Sequence, residues 1–291
     1  MNSELAKLGS SLLVPNVQEL AKNPLKEVPP RYKLSSKEEL EQLHYACKEW
    51  GFFQLINHGV SPSLVEKMKM ETQEFFNLPM EEKKKAFVVS EEQKLNWGDM
   101  FYMVTLPTYL RKPHLETLEA YSVELKHLAM RLLEVMGKAL GMDPNDLKPE
   151  LSIGLNSHFD ATGLTILLQI NDMESLQIRK NGIWVPIKPL PNAFVINIRD
   201  IMEIVSNGIY RSIEHCATVN SVKERVSVAT FYSPKLEGDM GSAPSLITPQ
   251  TPPLFRRIGV ADYFKGFFSR ELHGKSYVDV FRLQNEEINT K

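Results

Sequence analysis

The stretch from Leu176 to Ile187 reads LQIRKNGIWVPI and contains the clearest fold signal in the chain. Two short apolar runs flank Asn181-Gly182, a pair that favours a β-hairpin because both residues tolerate the positive φ angles of a two-residue turn. Comparable short apolar runs recur through this half of the chain, at 164–170, 194–198 and 226–231. Many short strands of this kind are typical of a sandwich or jelly-roll barrel, so the sequence predicts a β-rich second half.

Helical periodicity dominates the first half of the chain. Ser36 and Glu39 form a capping-box pattern that begins an amphipathic helix, which we expect to end near Gly51. Apolar residues at helical spacing predict further helices at 62–78, 116–140, 260–268 and 277–283. The predicted fold class is therefore mixed α+β, with a β-rich core between N-terminal and C-terminal helices.

The composition excludes several classes of protein. The chain has 291 residues, of which 43% are hydrophobic and 24% charged, so it is neither disordered nor fibrous. Its 34 basic and 36 acidic side chains nearly cancel, which gives no reason to expect a nucleic-acid partner. No apolar run approaches the roughly 20 residues that span a bilayer, and no secretory signal is recognisable. Cys47 and Cys216 alone cannot form a disulfide framework, so we expect free thiols and a cytoplasmic protein. We also expect a monomer without a membrane partner.

A candidate metal site lies in the stretch GLNSHFD, residues 154–160. His158 and Asp160 are two residues apart, so on a strand they point to the same side, and His215 can add a ligand from a distant strand. Two imidazoles and one carboxylate leave three coordination positions open, as in non-haem Fe(II) oxygenases. Those positions suit a bidentate 2-oxo acid and O₂. The alternative is a chance His-x-Asp pair containing a hydrogen-bonded structural histidine.

Arg225 and Ser227 follow ten and twelve residues after His215 and share one side of a predicted strand. A guanidinium beside a hydroxyl suits the remote carboxylate of a dicarboxylic co-substrate, because arginine binds carboxylate bidentately and stays charged. The alternative for Arg225 is a surface ion pair with Glu214 or Glu224.

Long stretches of the chain resemble the plant 2-oxoglutarate- and Fe(II)-dependent dioxygenases. The resemblance is closest to the branch that contains the senescence-related protein and the alkaloid O-demethylases. It covers nearly the whole chain, and the matching stretches are LVPNVQEL (13–20), VPPRY (28–32), ACKEWGFFQLINHG (46–59), GLTILLQ (163–169), PLPNAF (189–194) and NGIYRSIEH (207–215).

This resemblance implies a double-stranded β-helix (jelly roll) flanked by helices. It also implies a helical region over 1–145, a core over 146–236 that binds Fe(II) and 2-oxoglutarate, and a helical extension over 237–291. O₂ would be the second co-substrate and ascorbate the reductant. The site roles that the resemblance implies are iron ligation by His158, Asp160 and His215, co-substrate binding by Arg225 and Ser227, and substrate contact by Phe231.

The chain departs from the family pattern at several places. Family segments are missing after Tyr32, after Phe87, after Leu115 and, most seriously, before Leu151, where a core strand is expected. Phe159 stands where serine is usual, and Arg199 stands where glycine is usual. A bulky side chain at either position is expected to overpack the site, or to strain the backbone at Arg199.

Three functions are compatible with these observations. The favoured one is a dioxygenase that hydroxylates or O-demethylates a hydrophobic specialised metabolite, such as an alkaloid or flavonoid. The alternative is a shortened, catalytically inactive homologue that binds a small molecule. A third, an oxidase of the same fold that uses no 2-oxo acid, is disfavoured by Arg225 and Ser227.

Overall fold

A computed structural model describes most of the chain from Ser36 onwards. The described residues are 36–79, 81–82, 116–143, 146, 151–152, 162–218, 223–269 and 276–283. The chain divides into two compact units, Met1–Glu39 and Leu40–Lys291. Only residues 36–39 of the first unit are described, and every described strand belongs to the second. The division into three regions expected from the sequence stays a prediction.

Six α-helices lie in the described part of the chain, and most of them match the expected periodicity. They are α1 (Ser36–Tyr45), α2 (Pro62–Asn77), α3 (Glu116–Leu140), α4 (Asp200–Val205), α5 (Val260–Phe268) and α6 (Ser276–Asp279). A π-helical turn, Ala46–Trp50, extends α1, and a 3₁₀ turn covers Pro244–Leu246. The longest helix, α3, ends before Gly141, which has the left-handed φ of 69° that commonly terminates a helix.

Two antiparallel sheets form the β-rich half. The strands are β1 (Phe52–Leu55), β2 (Leu151–Ser152), β3 (Leu164–Gln169), β4 (Leu176–Lys180), β5 (Ile183–Pro186), β6 (Phe194–Ile198), β7 (His215–Ala217), β8 (Ser227–Pro234), β9 (Asp239–Met240) and β10 (Ile258–Gly259). The larger sheet has the order β1-β6-β3-β8-β2 and the smaller one β5-β4-β7, while β9 and β10 form a separate pair. The predicted hairpin is confirmed, since β4 pairs with β5 around Asn181-Gly182, whose φ angles are 51° and 82°.

The larger sheet is buried on both sides. One side packs its alternate residues, such as Leu164, Ile166 and Ile196, against α3 in the largest apolar cluster. On the other side, Leu167 and Val195 join Leu176 and Ile178 of the smaller sheet in a second cluster. The two sheets therefore face each other across a shared interior, as expected for a jelly roll.

Gly51 ends the π-helical turn at a crowded point. Its φ is 61°, and its N–H donates to the carbonyl of Ala46 at 3.0 Å. A Cβ at this position would lie 2.7 Å from Cγ1 of Ile213 and would also overlap the backbone carbonyl oxygen of Arg211. Only glycine fits both the angle and the space, so this residue fixes the entry into β1.

Three expectations about local structure need correction. The helix predicted over 277–283 is shorter, because the chain leaves α6 after Asp279 and Arg282 bridges to Phe255. Helix α4 was not predicted at all, because it has only six residues and the first five, including the carboxylates of Asp200 and Glu203, are buried, so no exposed polar side marks it. The backbone strain expected at Arg199 is absent, since its φ of −115° and ψ of 175° are ordinary extended values.

Candidate metal and co-substrate site

Strand pairing places several of the predicted site residues in the interior between the two sheets. Thr165 pairs with Phe231 of β8, and directly paired residues share one side of a sheet. Because side chains alternate between the two faces along a strand, Thr165 points to the same face as Leu167. Leu167 packs against the apolar cluster between the two sheets. His215 pairs with Ile178 of β4, which belongs to the same cluster. Side chains from both sheets thus converge on one interior space.

Arg225 and Ser227 are adjacent, as predicted. Arg225 Nη1 donates to Ser227 Oγ at 3.0 Å, and Nε donates to Gln169 Oε1 at 3.3 Å. The alternative was a surface ion pair with Glu214 or Glu224. Glu214 instead pairs with Arg179 at 3.0 Å, and Glu224 Oε1 accepts a hydrogen bond from Gln73 at 3.4 Å. Arg225 is therefore held by neutral partners just before the start of β8.

The Nη2 atom of Arg225 is buried and has no hydrogen-bond partner among the described residues. Burial lowers the pKa of the Arg225 guanidinium below its usual value, although arginine stays charged at any physiological pH. A buried N–H without a partner is costly, and a carboxylate is the ligand that satisfies a guanidinium best. The approach to the start of β8 therefore fits the carboxylate of an anionic co-substrate.

The hydrogen bonds of His215 define its tautomer. Nδ1 lies 3.0 Å from the carbonyl oxygen of Ile213, which only accepts hydrogen bonds, so Nδ1 carries the proton. Nε2 lies 3.3 Å from Nη1 of Arg199, which only donates, so Nε2 presents its lone pair. A neutral imidazole fixed in this way is the form that binds metals.

Arg199 is a residue of this interior whose location the sequence did not reveal. Its side chain is only 6% exposed. Nε donates to Thr165 Oγ1 at 2.8 Å, and the guanidinium carbon lies 5.6 Å from the centre of the Phe231 ring. The unusual residue at this position was visible in the sequence, but its contact with His215 depends on the pairing of distant strands.

Two of the three predicted iron ligands, His158 and Asp160, lie outside the described residues. Within the described part of the chain, no group of three His, Cys, Asp or Glu side chains is arranged to hold a metal ion. The proposed roles of His158, Asp160, His215, Arg225, Ser227 and Phe231 thus stay predictions.

Comparison with protein families gives two matches. Residues 137–234 match the 2OG-Fe(II) oxygenase superfamily, and residues 25–123 match the family described as non-haem dioxygenase in morphine synthesis N-terminal. A similar protein, oxoglutarate-dependent flavonoid 7-O-demethylase 1 of Ocimum basilicum, is 48% identical over 97% of this chain and 95% of its own. The chain belongs to the 2OG-Fe(II) oxygenase superfamily.

Further relatives agree with this assignment. Thebaine 6-O-demethylase of Papaver somniferum is 43% identical to this 2OG-Fe(II) oxygenase, over 97% of this chain and 99% of its own. The crystal structure of JOX2 in complex with 2OG, Fe and JA has a TM-score of 0.74 and 29% identity, covering 93% of this chain and 98% of the other. The rice dioxygenase for auxin oxidation, at 22% identity and a TM-score of 0.67, shares the fold and covers 84% of this chain and 95% of its own. The jelly-roll prediction is confirmed.

This 2OG-Fe(II) oxygenase is shorter than its relatives inside the matched span. The alignment with the Ocimum protein extends over 352 residues, whereas this chain has 291 in total. The relative therefore contains segments that have no counterpart here, in agreement with the gaps expected from the sequence.

The described residues fit the superfamily's cofactors unequally. Arg225, with its buried unpaired Nη2, suits 2-oxoglutarate. His215 has the tautomer of a metal ligand, but its Nε2 accepts a hydrogen bond from Arg199, so the side chain of Arg199 must move before His215 binds iron.

Proposed function

We propose that this enzyme hydroxylates or O-demethylates a hydrophobic specialised metabolite of the alkaloid or flavonoid type. The names of the Ocimum and Papaver relatives support this substrate class. When bound, Fe(II) and 2-oxoglutarate supply the O₂-dependent oxidation of a C–H bond. Hydroxylation of an O-methyl carbon is followed by loss of formaldehyde, which leaves the demethylated product.

The buried Nη2 of Arg225 is the observation that supports this function most directly. In the proposed site, Arg225 and Ser227 bind the remote carboxylate of 2-oxoglutarate, and His158, Asp160 and His215 hold the iron. Phe231 supplies an apolar surface for the organic substrate, next to Thr165 in the sheet interior. Ascorbate keeps the iron reduced between turnovers.

The first test needs no organic substrate. We expect anaerobic titration of the purified chain with Fe(II) and 2-oxoglutarate to give the visible charge-transfer band of the chelate, with one chelate per chain. His158→Ala should abolish the band. Arg225→Ala should weaken 2-oxoglutarate binding by about 2–5 kcal/mol, or roughly 30-fold or more, because a buried carboxylate loses its charged partner.

Lys223→Ala is the matched control for Arg225→Ala. Lys223 lies two residues away and pairs with exposed Asp172 at 2.6 Å, so its removal takes away one positive charge outside the proposed site. We expect the control to bind 2-oxoglutarate like the unchanged protein. Equal affinities for all three chains would contradict the proposed role of Arg225.

The substrate class is tested with a panel of methoxylated flavonoids and alkaloids. The expected result is formation of formaldehyde and succinate in equal amounts from at least one of them. Binding of 2-oxoglutarate and panel compounds without any succinate would support the non-catalytic alternative instead.

The setting in the cell is a further proposal. Among the residues that the structure describes, no helix combines the length and the apolar character needed to cross a membrane. The near-neutral charge supports small-molecule rather than nucleic-acid partners. A cytoplasmic location and a monomeric state are part of the same proposal.

A further inference from the structure

The backbone holds Arg199 firmly at the junction of β6 and α4. Its N–H donates to the carbonyl of Gly163 at 3.2 Å, and its carbonyl accepts from the N–H of Glu203 at 3.1 Å. The side chain starts from this fixed point and extends into the interior between the sheets, where it contacts Thr165 and His215. A glycine at this position would leave that space open.

The contact with His215 involves the atom that matters for metal binding. An imidazole nitrogen has one lone pair, so Nε2 cannot accept a hydrogen bond from Arg199 and bind a metal ion at the same time. A metal at the imidazole–metal distance of about 2.1 Å would also lie next to the Nη1 atom, which is 3.3 Å from Nε2. Two positive charges this close repel each other strongly in a partly buried site.

We propose that Arg199 competes with the metal ion for His215 and thereby lowers the affinity of this enzyme for Fe(II). The inference rests on the proposed role of His215 as an iron ligand. In the metal-free protein the Arg199 guanidinium donates a hydrogen bond to the lone pair of Nε2. Its contacts with Thr165 and with the ring of Phe231 stabilise it there. Metal entry requires the guanidinium to leave Nε2, so the enzyme loads only when Fe(II) is abundant enough to displace it.

The test measures metal binding in the absence of 2-oxoglutarate and O₂. Mn(II) serves as the probe, and the free ion is followed by its electron paramagnetic resonance signal. We expect Arg199→Gly and Arg199→Met to bind Mn(II) at least about tenfold more tightly than the unchanged chain, since each removes a like charge and frees Nε2. The methionine variant keeps the side-chain volume, so it covers the case in which the glycine variant does not fold.

Arg179→Met is the matched control. Arg179 is an exposed arginine that pairs with Glu214, next to His215 in the chain, and does not contact Nε2. This variant removes the same charge and should bind Mn(II) like the unchanged protein. If Arg179→Met tightened binding as much as Arg199→Met, the effect would come from net charge, and direct competition would be wrong.

The remaining outcomes separate the inference from the proposed function. Equal or weaker Mn(II) binding by the folded Arg199 variants, with clear binding by the unchanged chain, overturns the competition and leaves the iron site intact. No Mn(II) binding by any folded variant overturns both the role of His215 and the competition. The double variant Arg199→Met/His215→Ala should lose Mn(II) binding, because the tighter binding of Arg199→Met depends on Nε2 of His215.

Discussion

The imidazole of His58 has a structural role that its sequence context alone left open. Nδ1 accepts a hydrogen bond from the N–H of Val60 at 3.1 Å, and the ring centre lies 4.4 Å from that of Phe194. Burial lowers the pKa of His58 below its usual value of 6.5; nearby Arg131 acts in the same direction, while a backbone hydrogen bond of Asn192 opposes them. The fold therefore favours the neutral ring, which is held by a local hydrogen bond in the turn before α2.

This preference predicts a loss of stability in acid. The stabilisation from the neutral ring is complete above the unfolded pKa near 6.5, decreases as the pH falls below it, and is lost once the pH passes the folded pKa. We expect the melting temperature to fall between about pH 7.5 and about pH 5.5, and to fall less in His58→Asn, which keeps a short polar side chain. Identical pH dependence in the two proteins, measured by circular dichroism, would contradict this role.

Residue-level chemistry was partly predictable from the sequence. The contact of Arg225 with Ser227 follows from their spacing of two residues in extended chain, where alternate residues share a side, although β8 itself begins at Ser227. The contact of Arg199 with His215 does not follow from any local pattern, since it joins the end of β6 to β7 on the other sheet. Long-range contacts of this kind depend on how the sheets pack, which spacing along the chain does not reveal.

At the scale of elements, two glycines that end helical segments offer a comparison. Gly51 and Gly141 have similar φ angles of 61° and 69°. An added Cβ would meet nothing within 4 Å at Gly141, whereas at Gly51 it would lie 2.7 Å from the Ile213 side chain. The two sites therefore share the cost of a left-handed conformation and differ in steric crowding.

We expect Gly141→Ala to lower the free energy of unfolding by about 1–2 kcal/mol, the cost of placing an L-residue in the left-handed region. Gly51→Ala should lower it by roughly 1–3 kcal/mol more, because the new methyl group also displaces packed atoms. Urea denaturation of the two variants measures the difference directly. If Gly51→Ala lowered the free energy of unfolding no more than Gly141→Ala, the chain around the start of β1 would accommodate the methyl group without a steric cost.

The elements themselves were predictable where their periodicity was strong. The 25 residues of α3 and the Asn-Gly hairpin have clear patterns, and both formed where expected. Short buried elements were not predictable, because the six residues of α4 span less than two turns and its acidic residues are buried rather than exposed. The end of α6 is likewise decided by a distant partner, the bridge between Phe255 and Arg282.

Across the whole molecule, one buried carboxylate joins three distant segments. Glu203 is 2% exposed; its Oε1 accepts from Arg282 Nη2 at 2.6 Å, and its Oε2 accepts from the N–H of Ser212 at 2.9 Å. Ser212 lies three residues before His215, so this carboxylate links the segment around Arg282 to the approach to the candidate metal site.

Removing Arg282 should destabilise the fold. Arg282→Ala leaves the Glu203 carboxylate without its guanidinium, and we expect a loss of about 1–3 kcal/mol, moderated by water that reaches the exposed side of the pair. Asp279→Ala is the control, because Asp279 pairs with the same guanidinium at 2.7 Å but is 63% exposed, and exposed pairs contribute little. A larger fall in the melting temperature for Asp279→Ala than for Arg282→Ala would disprove this account.

The turn at Asn181-Gly182 offers a practical handle on this enzyme. Both residues are exposed, and a side chain added at Gly182 would meet nothing within 4 Å. Exposed loop tips of this kind tolerate inserted or attached groups. In a variant whose partly exposed free thiol at Cys216 is replaced by Cys216→Ser, a cysteine placed at Asn181 would therefore anchor the protein to a sensor surface. The mass gained at that surface would then report small molecules that bind in the interior.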